Sequence, residues 1–323
     1  MNVEALQEMK SSVNLVIGAT GSIGRAVIEE LVFRGQSVRA MVRDTKKAQW
    51  AAQIGRVDIF EGSAEEPESL HAAFKGAQIV FNCLNLPYPE WNRLPGIHGQ
   101  ILDAAKRASA KMVFPGNVYI YGHAQSAKVS EDHPCNPCSR KGKLRVQLED
   151  MFMEASRKND VPTVIVRFPD FYGPNAIGIS DGIFAAALAG KTARWFGNLD
   201  AMHEFILISD AARAMVMASE RKDAYGQGFN VPGPEPITAR NWINLIFKEA
   251  GHQPRMKGTG RATMRLFGVF NKMAREFSEM QYLTEEPLIL DGTKFMKFFG
   301  TKYPSTDYDE GIRQTLASMK TRA

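Results

Sequence analysis

The chain has 323 residues, 44% apolar and 23% charged, with a formal net charge of +5. This profile excludes a disordered or fibrous chain and suffices for one large domain or two modest ones sharing a core. No apolar run approaches the ~20 residues of a membrane span. The basic excess is spread along the chain without a stripe of interleaved aromatics, so neither membrane nor nucleic acid is an expected partner. Three cysteines cannot frame a disulfide scaffold, and "MNVEALQEMKSS" carries no leader-like apolar core, so a reducing cytoplasm is the expected location.

Residues 13–44, "VNLVIGATGSIGRAVIEELVFRGQSVRAMVRD", read as strand, glycine turn, helix and strand. "RVDIFEG" and "AQIVFNCL" are further strands, with a helix over 67–75 between them. A helix over 97–109, the strand "KMVFPG", a helix after Lys141 and the strand "PTVIVRF" continue the alternation. Repeated strand–helix units predict an α/β fold: a Rossmann-like, doubly wound parallel sheet with helices on both faces. Residues 1–172 form this unit, with 204–222 returning to it. Residues 173–323 are mainly a smaller C-terminal lobe. There Met264, Phe267, Phe270, Met273, Phe277 and Met280 recur at three- and four-residue spacing, which predicts an amphipathic helix. Packing on the lobe's core is the first reading, a lid over substrate the second, a membrane-surface helix the third.

"GATGSIG" places glycines at 18, 21 and 24 between a strand and a helix. Gly18 permits the tight turn. Gly21 admits a pyrophosphate beside the backbone of Thr20, Ser22 and Ile23, and Gly24 lets the helix lie close to the sheet. Helix N-terminal N–H groups then face the phosphates. At the end of the second strand an acidic residue would bind a ribose 2′-hydroxyl, whereas Arg43 suits a 2′-phosphate and Asp44 argues the other way. NADP is favoured, with NAD as the alternative; Arg39 reads as ordinary surface charge.

With "GATGSIG", the segments "YIYG" (119–122), "SEDHPCNP" (130–137), "RFPDFYGP" (167–174), "FILISDAARAMVMA" (205–218) and "GFNVPGPEPIT" (228–238) make nearly the whole chain resemble the extended short-chain dehydrogenases/reductases, or NAD-dependent epimerase/dehydratase family. "VRAMVRD" is similar to the atypical, NADP-preferring branch. The resemblance implies a Ser/Thr, a Tyr and a Lys as catalytic groups. It maps the lysine to Lys143, the tyrosine to Ser139 and the Ser/Thr to Asn117. It puts Phe171 in the loop that meets the nicotinamide, and Ser63 where an adenine-binding Asp often stands. A serine hydroxyl is too weak an acid to replace a phenol. Asn117 can polarise a carbonyl, Lys143 can act as acid and base or hold the ribose, and Tyr121 and Tyr119 lie nearby.

"HPCNPC" has too few ligands for zinc, and no metal is expected. His203 and Glu204 read as an exposed polar pair; Tyr88 and Trp91 either stack on a substrate ring or close their own loop. The expected function is an NAD(P)-binding oxidoreductase that reduces a carbonyl or activated double bond of a small-molecule substrate. A nucleotide-sugar epimerase/dehydratase and a non-catalytic NADP(H) sensor are the alternatives, and a homodimer is left open.

Overall fold

The computed structural model describes residues 13–260, 264 and 272–321. Chain order in the first part is β1 Val13–Ile17, α1 Ser22–Phe33, β2 Val38–Val42, α2 Gln49–Ile54, β3 Val57–Glu61, α3 Pro67–Phe74, β4 Ala77–Asn82, α4 Leu94–Ala108, β5 Lys111–Asn117, α5 Arg140–Arg157 and β6 Thr163–Phe168. Helix α4 starts three residues earlier than its apolar spacing predicts. Pro95 stands in its first turn, where the missing N–H costs no hydrogen bond.

The second part continues with β7 Asp170–Tyr172, α6 Ile179–Leu188, β8 Ala193–Trp195, β9 Met202–His203, β10 Phe205–Leu207, α7 Ile208–Ser219, β11 Gly228–Asn230, β12 Ile237–Thr238, α8 Ala239–Ala250 and β13 Met256–Gly258. Helices α9 Lys272–Met280, α10 Tyr282–Glu285, α11 Thr293–Phe299 and α12 Tyr308–Lys320 complete it.

One seven-stranded sheet has the order β11-β6-β5-β4-β1-β2-β3, every pair parallel. Alternate strand residues feed opposite cores. On β1, Val16 faces one core with α1 and α7, while Leu15 and Ile17 face the other with α3, α4 and α5. Both faces are covered, which is why the strands are mostly apolar; Arg39 and Asp58, on the neighbouring strands β2 and β3, pair with each other. Beyond β6, Tyr172, Phe184, Trp195, Trp242, Phe247 and Tyr308 form a separate aromatic core for the lobe. Among the described residues no helix is long and apolar enough to cross a membrane.

Candidate functional site

The sheet order reverses between β1 and β4, so the turns leaving those two strands diverge at their carboxyl ends and open a crevice. A cavity of about 720 Å³ occupies it. Gly18 makes the turn out of β1 with φ +77°, and a Cβ there would lie 2.7 Å from the Cys83 carbonyl after β4. Gly21 is the N-cap of α1 and supplies no capping side chain, so the first N–H groups of the helix face the cavity with Thr20, Ser22 and Ile23. A Cβ on Gly21 would sit 3.2 Å from the Gly18 carbonyl; one on Gly24, buried beneath the turn, would run into the same oxygen. The turn therefore has the shape and the free donors that a dinucleotide's pyrophosphate needs.

Of the residues closing β2, Arg43 lines the cavity and makes no ion pair among the described residues. Asp44 is turned into local structure, its Oδ1 accepting from the Lys46 N–H at 3.0 Å. Arg39 pairs with Asp58 and donates to the Ala73 and Lys75 carbonyls, which makes it structural. Ser63 lines the cavity and caps the next turn by accepting from the Glu65 N–H.

Asn117, at the end of β5, also lines the cavity. Its Oδ1 accepts from the Tyr119 N–H at 3.1 Å, leaving its Nδ2 donor without a partner among the described residues. The turn Val118–Ile120 then sends alternate side chains opposite ways. Tyr119 enters the cavity. Tyr121 does not: it is fully buried with Val129 and Leu290, donating to Asn230 Oδ1 at 2.7 Å, and burial pushes its pKa up to about 12. The expectation of Tyr121 at the reacting centre is therefore corrected.

Lys143 is corrected for a different reason. It is exposed on α5 and does not line the cavity. Two residues on a helix differ by ~200° of rotation, so Lys141 and Arg145 face the opposite way and are buried. The inward-facing cations of α5 are Lys141 and Arg145, and Lys143 is not among them. Ser139 is the N-cap of α5, its Oγ accepting from the Gly142 N–H at 3.0 Å. Arg145 lines the cavity with its guanidinium 4.5 Å above the Trp91 ring. Lys141 Nζ lies 4.9 Å over the Tyr88 ring and forms ion pairs with Glu276 and Glu279 of α9.

The hydroxyls of Tyr88 and Tyr119 lie 2.8 Å apart in the cavity wall. Burial raises both pKa values, so both phenols are protonated at neutral pH; the Arg145 charge pulls each back down. Asp170 reaches the same cavity. It is exposed to solvent, and desolvation by the surrounding protein raises its pKa to about 6. Phe171 lines the cavity beside it, packed on Phe168. Phe277 and Met280 of α9, and Met264, close the far end, which favours the lid reading over core packing. Phe267 and Phe270 lie outside the described residues, as does the side chain of Met273.

His203 and Glu204 are buried rather than exposed. Desolvation lowers the His203 pKa to about 4 and raises that of Glu204 to about 8, with Glu204 accepting from the Leu290 N–H. Alternation with Phe205 and Leu207 on β10 could not reveal this, because both faces of this segment are covered. His133 bridges the Gln125 N–H and the Pro134 carbonyl, while Cys135 and Cys138 are exposed free thiols. No group of three or more metal-ligating side chains occurs among the described residues.

A parallel sheet with a glycine-turn crevice at its switch point defines a Rossmann-like dinucleotide-binding protein. Residues 14–231 match the model of the "NAD dependent epimerase/dehydratase family", and the chain belongs to that family, a family of NAD(P)-binding enzymes. The chain is 26% identical over 276 residues to dTDP-6-deoxy-L-talose 4-dehydrogenase (NAD(P)(+)) of Kitasatospora kifunensis, covering 77% of this chain and 84% of that one. It is 24% identical to a 4-hydroxy-2-methyl-3-oxo-4-farnesyl-3,4-dihydroquinoline-1-oxide ketoreductase of Stigmatella aurantiaca, covering 73% and 72%. UDP-glucuronic acid 4-epimerase of Bacillus cereus, solved with UDP-glucuronic acid and NAD, superposes with a TM-score of 0.79 at 18% identity. That match covers 97% of this chain and 100% of the other and shows the shared fold.

Proposed function

We propose that the protein is an NADP(H)-dependent reductase of a carbonyl or activated double bond, with Tyr119 as proton donor. The observation that carries this is the Tyr88–Tyr119 hydroxyl pair, facing the same cavity as the glycine turn and overlooked by Arg145. Gly18, Thr20, Gly21, Ser22 and Ile23 would hold the pyrophosphate, Arg43 the 2′-phosphate, and Phe171 would pack near the nicotinamide. The bound nicotinamide supplies hydride. Asn117 Nδ2 orients the substrate oxygen, and Tyr119 gives it a proton. Tyr88 then donates to the phenolate left behind, and the Arg145 charge stabilises it. Arg145 thus takes the part that the sequence resemblance assigns to a lysine, and no tyrosine on α5 is needed.

The test is NADPH consumption across ketone substrates with wild type, Tyr119→Phe and Arg43→Ala. Tyr119→Phe should lower kcat by roughly a hundredfold or more while NADPH affinity holds. NADPH should bind about ten- to a hundredfold more tightly than NADH, the effect of one charged contact of ~1.5–3 kcal/mol, and Arg43→Ala should erase the difference. Full turnover by Tyr119→Phe, or equal affinities in wild type, would overturn the respective assignment. A nucleotide-sugar reaction is the second reading, favoured by the name of the Kitasatospora relative.

A further inference from the structure

We infer that the substrate end of the cavity takes an uncharged, ring-bearing apolar ketone or enone and rejects nucleotide diphosphates. This rests on the reductase reading above and gives it a substrate class.

The far end of the cavity is walled by aromatic rings in mutual contact. Tyr88 meets Trp91 edge-on at 5.0 Å and Phe277 at 5.5 Å between centroids, and Phe196 stacks with Phe277 at 6.2 Å. Met280 and Leu283 fill the gaps between them. Such a wall offers dispersion and desolvation to a ring, and very few hydrogen bonds. A diphosphate carries two charges that must each find donors when they leave water. Arg43 and Arg145 are the arginines that line the cavity, and no lysine does, among the described residues. Arg43 lies at the end of β2, beside the glycine turn, where the cofactor needs it. Arg145 lies over the Trp91 ring with its Nε unpartnered, so a single guanidinium is left to meet the two charges of a diphosphate. Asp170 adds a carboxylate to the lining, and its charge repels phosphate.

The rings do not suit a cationic substrate either. The faces of Trp91 and Tyr88 already carry Arg145 and Lys141, at 4.5 and 4.9 Å. A third cation would meet two like charges, whereas a neutral ring meets none of these penalties. Asn117 Nδ2 and the Tyr119 hydroxyl, both on the lining, suffice for one carbonyl oxygen.

The experiment is a binding titration with NADP⁺-saturated protein, in which no turnover can occur, followed by quenching of tryptophan fluorescence; Trp91 and Trp195 both line the cavity. The probes are a decalone, a steroid ketone and UDP-glucose. The expected result is saturable quenching by at least one ketone and at least tenfold weaker binding of UDP-glucose. Phe277→Glu should weaken the ketone at least tenfold with NADP⁺ affinity retained, and Phe277→Leu should stay within about threefold of wild type. UDP-glucose binding more tightly than both ketones, no ketone binding, or an indifferent Phe277→Glu in folded protein would each overturn the inference. Ketone binding without NADPH consumption would instead sink the reductase reading and leave the substrate class standing. NADPH consumption with sugar nucleotides alone would do the reverse.

Discussion

Glu204 is a carboxyl that the fold keeps from water and lets accept one N–H, that of Leu290, at 3.1 Å. Burial raises its pKa from 4.5 to about 8, so the folded protein holds it protonated. Below pH 4.5 both folded and unfolded chains carry the proton, and the contribution to stability is fully present. Above that the unfolded chain ionises first, and stability is lost progressively until about pH 8. The loss is on the order of a few kcal/mol at ~1.4 kcal/mol per pKa unit. Glu204→Gln keeps an acceptor for Leu290 without the charge. Its melting temperature should lie near wild type at pH 5 and rise above it toward pH 8. A gap that does not widen with pH would show that the carboxyl is hydrated. The same scale explains what single residues could and could not reveal. Gly18 was legible because a turn with positive φ pressed against Cys83 tolerates only one residue type there. Tyr119 and Tyr121 were not distinguishable, because one short turn of backbone decides which of the two meets the cavity.

At the scale of elements, α5 shows how a pattern can be recognised and its register missed. "RKGKLR" holds cations at 140, 141, 143 and 145, so a cation closing a four-residue spacing can be read at Lys143, after Ser139, or at Arg145, after Lys141. Only packing chooses between them: Lys141 and Arg145 turn inward, and the carboxylates that neutralise Lys141, Glu276 and Glu279, lie about 135 residues away on α9. No local signal predicts that meeting. The pair fastens α9 across the aromatic end of the cavity. Removing one partner leaves the other buried and unpaired, which commonly costs ~3–5 kcal/mol; the second partner Glu279 and the nearby Arg140 put this case at about 3. Lys141→Met should therefore lower unfolding free energy in urea and raise KM, with NADPH affinity unchanged. Lys141→Met/Glu276→Leu should recover much of the stability, since two apolar groups strand no charge. A Lys141→Met protein with wild-type stability and KM would mean that α9 is held by its rings alone.

Across the whole molecule, the alternating strands and helices of the first 168 residues were readable because a parallel sheet covered on both faces demands continuous apolar strands. The lobe was less readable: β8, β9, β12 and β13 are two or three residues long, too short for a period to register. The family match stops at residue 231, so Trp242, Phe247 and Tyr308 of the aromatic lobe core, and α9, lie beyond it. Helix α9 roofs the cavity while gripped by Lys141 on its charged side and by Tyr88 and Phe196 on its aromatic side. A turnover that lifts α9 would undo and remake that grip, and friction rather than bond-making should then set the pace. kcat should fall in proportion to solvent viscosity in sucrose, and NADPH deuterated at the transferred position should show almost no isotope effect on kcat. A full isotope effect with no viscosity dependence would place the slow step in the hydride transfer itself.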